Sequence, residues 1–357
     1  MDKESQILLE EPSPCTDVRA IVEDDGESIY FYLYGPLDAD DYPAGLDNEH
    51  FSPLRTCWIS SKRQTFQKDV TPILERMREG KSPIVPEQFC KADAYNGIDA
   101  SKLELVWFEE GDAAALLHKG KIVGVIPTWG VLPDGRHGYS AALSTPFLDF
   151  LPIEQMPQEM HQRIAKASKF WKSWLEDGVE ERFFNSYYQS LKAAFGGKDA
   201  TEQKLIENGR WPPKVVNIFE HSDVTIFATV GTSILAQPRV EVFTENPQPY
   251  RRIELAMLLP TQLVHEISIE PIIALLQNLA FAPWDKLIWF HDTHKISYPL
   301  DFLSQKNGEN FTALALTKEI PNMKNQNIVN PTFASYQNDP VTLLWITPII
   351  ESERTNS

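Results

Sequence analysis

Residues 250–260 read YRRIELAMLLP, and how this stretch folds decides the architecture of the chain. In an extended strand alternate residues share a face. Ile253, Leu255, Met257 and Leu259 then lie on one side, and Arg252 and Glu254 on the other with Ala256 and Leu258. The pattern predicts a strand over Arg252–Leu259. Arg252 and Glu254, at i and i+2, are expected to form a solvated pair or to receive a partner. Just downstream, Ile272, Leu275, Leu276 and Leu279 repeat at i, i+3, i+4 and i+7, the stripe of an amphipathic helix. Ser268 is expected to cap its start, Pro271 fits its first turn, and Pro283 is expected to stop it.

Strands flank this pair. Val224, Ile226, Ala228 and Val230 alternate with Thr225, Phe227 and Thr229, and Val240–Thr244 reads as a further strand. Phe311–Leu316 and Val341–Thr347 follow late in the chain. The last is apolar almost throughout, which places it inside a sheet. Upstream, Met160, Ile164, Ala167, Trp171, Trp174 and Leu175 recur at helical spacing. Gly178 interrupts, and Phe183, Phe184, Tyr187, Tyr188, Leu191 and Ala194 resume the stripe to Gly196. Two helices packed on an apolar surface are predicted.

The N-terminal part is strand-rich. Ser28–Tyr34, Leu54–Ser60 and Leu103–Phe108 read as strands, and Ala113–Leu117 and Ile122–Ile126 as a hairpin turning at Lys119-Gly120. Thr71–Gly80 reads as a short helix, and Gly35–Pro53 and Thr128–Tyr139 as loops. Residues 1–16, with Glu10, Glu11, Pro12 and Pro14, are expected to be a flexible arm. Single cores stop growing beyond about 250–300 residues. A chain of 357 residues is therefore read as α+β with two lobes. A strand-rich α+β lobe spans 1–150, a helical connection 151–204, and a second α+β lobe 205–357.

Lys and Arg number 33 against 50 Asp and Glu, a net charge of −17. Such acidity either only keeps the protein soluble or suits a basic protein partner, and the surface is expected to repel nucleic acid and anionic membranes. Cys15, Cys57 and Cys90 form no Cys-x-x-Cys pair, so free thiols in a reducing compartment are expected. No apolar stretch reaches the length of a membrane span or opens the chain as a signal peptide would, which points to the cytoplasm.

Catalytic signatures are missing. There is no Gly-x-Ser-x-Gly, no phosphate-cradling Gly-x-x-x-x-Gly-Lys-Ser/Thr and no Gly-x-Gly-x-x-Gly. No catalytic residue and no cofactor is expected. Two constellations could still carry chemistry. His291 and His294, three apart with Asp292 between, could share an ion, yet a site needs three or four ligands. No metal is expected. Glu109, Glu110 and Asp112 form an acidic corner suited to acid–base work, or a tight turn around Gly111. Arg252, Glu254, His291, His294, Glu109, Glu110 and Asp112 are the candidate binding residues.

Four segments in order resemble one family. YRRIELAMLLP resembles the strand of the suppressor-of-fused domain that carries its Arg-x-Glu-Leu core. Ile269–Trp284, with Leu-Gln-x-Leu-Ala at 276–280, resembles the following helix. Trp289–Ile296 resembles the family's tryptophan, histidine and isoleucine segment, and Asp339–Glu353 its closing strand and Pro-Ile-x-x-x-Glu end. The resemblance covers roughly the last 150 residues. The full length looks like bacterial proteins that carry this domain at their C-terminus. The founding animal protein, which restrains a transcription factor, has it at the N-terminus. The resemblance implies an α+β sandwich that holds other proteins, and bacterial relatives are found among proposed immunity proteins of toxin systems. The expected function is a non-enzymatic binding or toxin-neutralising module. An enzyme using 109–112 or His291 and His294, and a structural scaffold, stand as alternatives.

Overall fold

The computed structural model describes residues 5–35, 52–61, 82–128, 137–196, 200–205, 211–221, 223–307, 310–321 and 328–350. The expected Thr71–Gly80 helix and most of the Gly35–Pro53 and Thr128–Tyr139 loops lie outside them. The chain forms two compact units, Met1–Lys172 and Ser173–Ser357. Among the described residues no single helix is long and apolar enough to cross a membrane.

The first unit holds two sheets. β1 (Gln6–Pro12), β2 (Arg19–Asp24), β3 (Ser28–Gly35) and β4 (Ser52–Ser61) form an antiparallel meander. β5 (Leu103–Trp107), β6 (Ala114–His118), β7 (Lys121–Ile126), β8 (Gly138–Ser140) and β9 (Phe150–Pro152) form the other, with β8 and β9 parallel. The sheets meet where a side chain on Gly124 would strike Ile59 and Cys57, so glycine lets them approach. The hairpin turns at Lys119-Gly120, both with positive φ, the two-residue turn that matches strand twist. Helix α1 (Gln158–Ser173) follows, and the division into units falls at its end.

The flexible arm expected over 1–16 is instead strand β1. Its backbone pairs with β2, and its exposed side chains mark an edge strand whose burial pattern gives no alternation. The turn after it is fastened by the Thr16 hydroxyl, which donates to the Gly111 carbonyl at 2.9 Å. Prolines 12 and 14 fall where pairing ends, so they cost the ladder nothing.

In the second unit, α2 (Val179–Phe195) starts after Gly178 and stops at Gly196, both left-handed. The sheet comprises β10 (Thr201–Leu205), β11 (Lys214–Glu220), β12 (Val224–Val230), β13 (Arg252–Pro260), β14 (Lys295–Ser297), β15 (Phe311–Thr317) and β16 (Val341–Ile350). Their order is β10-β11-β12-β13-β16-β15-β14, and only β13 and β16 pair in parallel. These two strands occupy the interior of the sheet, as near-continuous apolar strands do. One face, with Ile253, Leu255, Met257, Leu259, Leu344 and Ile346, packs under three helices. They are α5 (Thr261–Ile267), α6 (Glu270–Asp285) and α7 (Asp301–Asn307), numbered after the short α3 (Val240–Phe243) and α4 (Gln248–Arg251). The other face meets α2, where Phe195 packs on Phe219 and Trp345. The result is a helix–sheet–helix sandwich.

Three local expectations fail for identifiable reasons. Val240–Thr244 is helical turn α3, because β12 and β13 pair directly with each other and leave it no place between them. Ser268 has φ +67 and closes α5 through its N–H to Val264, while Ile269 precedes α6. Pro283 lies within the last turn of α6, which runs on to Asp285. So late a proline removes only one helical bond, and its neighbour Trp284 is anchored on the Ala236 carbonyl at 3.1 Å.

Gly231 tests the tightest point of this unit. Its φ is +111, and a Cβ there would lie 2.4 Å from the Pro213 carbonyl oxygen. Gly231→Ala is expected to lower stability by about 2–4 kcal/mol in urea denaturation. Gly97→Ala, which meets nothing within 4 Å, is the near-neutral control.

Candidate functional site

Arg252 and Glu254 do not form the solvated pair expected of them. Both are 0% exposed. The face they occupy is covered by α2, so each had to find partners inside. Glu254 Oε1 accepts from Gly231 N at 3.0 Å, Ser233 N at 3.0 Å and Ser233 Oγ at 2.6 Å, and Oε2 from Thr229 Oγ1 at 2.7 Å. Burial pushes its carboxyl above the usual range, while the Ser233 hydroxyl, Thr229 and the two backbone N–H groups pull it down. Arg252 donates to the Ser233 and Ile234 carbonyls at 3.1 and 2.7 Å and lies 3.4 Å from Asp339 Oδ2. Its guanidinium also covers the ring of Tyr336. Asp339 takes Arg251 as well, at 3.5 Å. Strand β13, the Gly231–Ile234 turn and the segment before β16 are thus tied to one buried charged cluster.

The acidic corner at 109–112 is also spoken for. Gly111 has φ +75, and its N–H bonds the Phe108 carbonyl, giving the tight turn. Glu109, Glu110 and Asp112 are all buried. Arg163 of α1 reaches Glu110 at 3.1 Å, and the Thr128 hydroxyl donates to Asp112 at 3.1 Å. These carboxylates fasten α1 and the loop after β7.

His291 and His294 remain near the surface. Their ring centroids are 3.6 Å apart, and Trp289 and Tyr250 pack around them. His291 Nδ1 contacts the Asp292 carbonyl, and Lys318 meets the Asp292 carboxylate at 3.1 Å. Partial burial, then the neighbouring His291, hold His294 below the usual imidazole range, against Asp292. Among the described residues no three His, Cys, Asp or Glu side chains gather as a metal site. The cluster is a half-exposed aromatic patch of the kind that anchors interfaces.

Sequence reasoning missed a groove of about 490 Å³ at the other end of the sheet. Leu258, Leu263, Leu303, Phe311, Ile346 and Pro348 line it, with Gln262 and Glu266 at its rim. Its residues come from β13, α5, α7, β15 and β16, so no single stretch of sequence signals it. Thr229, Ser233 and Asp339 were missed likewise. The Gly-Thr-Ser turn after an alternating strand was the only local hint.

Two outcomes check this geometry. A solvated pair is worth about 0–1 kcal/mol, whereas Arg252→Met, which strips Asp339 of a buried partner, is expected to cost about 3–5 kcal/mol in urea denaturation. His294 binds protons less readily when folded than when unfolded, so stability should fall as pH drops below its ordinary value of 6.5. His294→Asn should flatten that slope between about pH 7.5 and 5.

Among curated proteins none matches the chain. Residues 211–356 match the family model of the suppressor of fused protein (SUFU), a span that contains strands β11 to β16, the buried charged cluster, the aromatic patch and the groove. The C-terminal part of the chain is therefore similar to the suppressor-of-fused domain.

Proposed function

We propose that the chain is a non-enzymatic binding protein that holds a basic protein partner through its suppressor-of-fused domain. The observation that carries this reading is the domain match over 211–356. The groove supports it. A wall of leucine, phenylalanine, isoleucine and proline accepts apolar side chains, and Glu266 on its rim with the net −17 favours basic residues beside them. The aromatic patch of Tyr250, Trp289, His291 and His294 is a second contact surface on the same domain. Neutralisation of a basic toxin is the finer form of this proposal, resting on the resemblance to bacterial immunity proteins. The same charge disfavours nucleic acid and anionic membranes as partners, and a cytoplasmic setting suits three free thiols.

Affinity capture with the full chain from its own cells, followed by titration with the purified partner, tests the proposal. A stoichiometric complex with a basic protein is expected, weakening about tenfold or more as salt rises through the screening range. Gln262→Trp, at an exposed rim position, should fill the groove and weaken binding about tenfold while the thermal midpoint stays put. Co-expression should protect cells from that partner if it is toxic. Turnover of a small substrate, abolished by Glu110→Gln or His294→Ala without unfolding, would show an enzyme instead.

A further inference from the structure

The N-terminal unit contains a cavity of about 560 Å³ that nothing above uses. Tyr30, Tyr32 and Tyr34 alternate along β3 and therefore share a face, and all three line it. Their rings form a ladder, with Tyr30 and Tyr32 stacked at 5.8 Å and Tyr34 tilted by 55° against Tyr32 at 5.6 Å. Phe150 closes one end, edge-on to Tyr30 at 6.2 Å. The Tyr30 hydroxyl donates to the Pro83 carbonyl and that of Tyr32 meets Ser82, both at 2.5 Å, so the inner rings are held in place.

The wall is acidic as well as aromatic. Glu23, Asp25 and Asp149 line the cavity, and its described lining has no lysine or arginine. His137, the one basic side chain in that lining, lies 3.7 Å from the Asp149 carboxylate; burial and then the nearby Arg55 hold it below the usual imidazole range, against Asp149. Glu23 pairs with Tyr30 across β2 and β3, which sets its carboxylate on the tyrosine face. Two steps along the same face, past Ile21, the chain already holds a guanidinium. Arg19, opposite Tyr34, reaches Glu10 at 3.1 Å in an adjoining depression that Glu23 and Tyr34 also line.

We propose that Tyr34, the partly exposed end of the tyrosine ladder, and the carboxylates of Glu23 and Asp149 form a pocket that takes an arginine side chain of a protein partner. Flat aromatic faces stack a guanidinium, and carboxylates receive its N–H fork. The inference deepens the reading of the chain as a binder of basic proteins and adds a contact site outside the suppressor-of-fused domain.

Two short peptides, identical except that arginine in one is citrulline in the other, separate this pocket from the rest of the surface. Calorimetric titration into the full chain should show the arginine peptide binding at least about fivefold more tightly. Tyr34→Ala and Glu23→Gln should each remove that preference, whereas Glu220→Gln, an exposed carboxylate at the end of β11, should leave it intact. Both positions are partly exposed, and circular dichroism with a thermal melt confirms that each variant is folded. Equal binding of the two peptides, no binding at about 1 mM, or a preference untouched in both pocket variants overturns the proposal. Because the peptides replace the natural partner, failure here leaves the capture experiment on the C-terminal domain to stand or fall separately.

Discussion

Glu254 constrains the second unit more than any other side chain. It stands on an interior strand, wholly buried, with every acceptor position on Oε1 and one on Oε2 met by named donors. An ionised carboxylate taken from water costs several kcal/mol unless such donors are already in place. The three donors to Oε1 come from a turn that only glycine can make, since a Cβ on Gly231 would lie 2.4 Å from the Pro213 carbonyl oxygen. Arg252, two residues earlier, then anchors the carbonyls of the same turn and Asp339. Register between β13 and β16, the fold of the 231–234 turn and the seat of α2 are therefore mutually dependent. A slip of one residue on β13 would carry both charges to the apolar face.

This explains what the sequence could and could not disclose. Strand β13, the stripe of α6, the paired helices around Gly178 and the hairpin at Lys119-Gly120 were legible because each is a local period with local punctuation. The α+β class follows from them, and the apolar face of β13 was assigned correctly from alternation alone. The burial of Arg252 and Glu254 was not legible. Whether a polar face meets solvent depends on α2, whose residues lie more than fifty positions away. Strands β1 and β2 escaped notice for the opposite reason. β1 is an exposed edge with no alternation to read, although Val18, Ala20 and Val22 of the neighbouring segment do alternate and are buried. The groove and the tyrosine pocket are assembled from distant segments, and only the strand over Ser28–Tyr34 was visible in advance.

The acidic residues divide into two uses. Glu110, Asp112, Glu254 and Asp339 are buried and bind arginine, hydroxyl or backbone groups of their own chain. They fasten elements and are not presented to a partner. Glu23, Asp149 and Glu266 stay accessible beside cavities. The net charge alone does not distinguish these groups, although only the second can act in recognition.

Strand addition to an open sheet edge is a general way for such a module to take a peptide, yet three of the edges here are poorly suited to it. β14 offers three residues and exposes Lys295, a side chain that blunts edges. β1 carries Glu10 and Glu11 and ends at Pro12, which has no N–H to donate. β5, at one edge of the five-stranded sheet, is only five residues long and exposes Glu104. At these three edges shortness, charge or proline works against pairing between copies of the chain and equally weakens main-chain capture of a partner. Side-chain surfaces remain: an apolar groove between helices and strand ends, a half-exposed aromatic patch, and a tyrosine-walled pocket bordered by carboxylates. Each presents side chains and not backbone, so under the proposed function a partner would be recognised by an apolar residue flanked by cations.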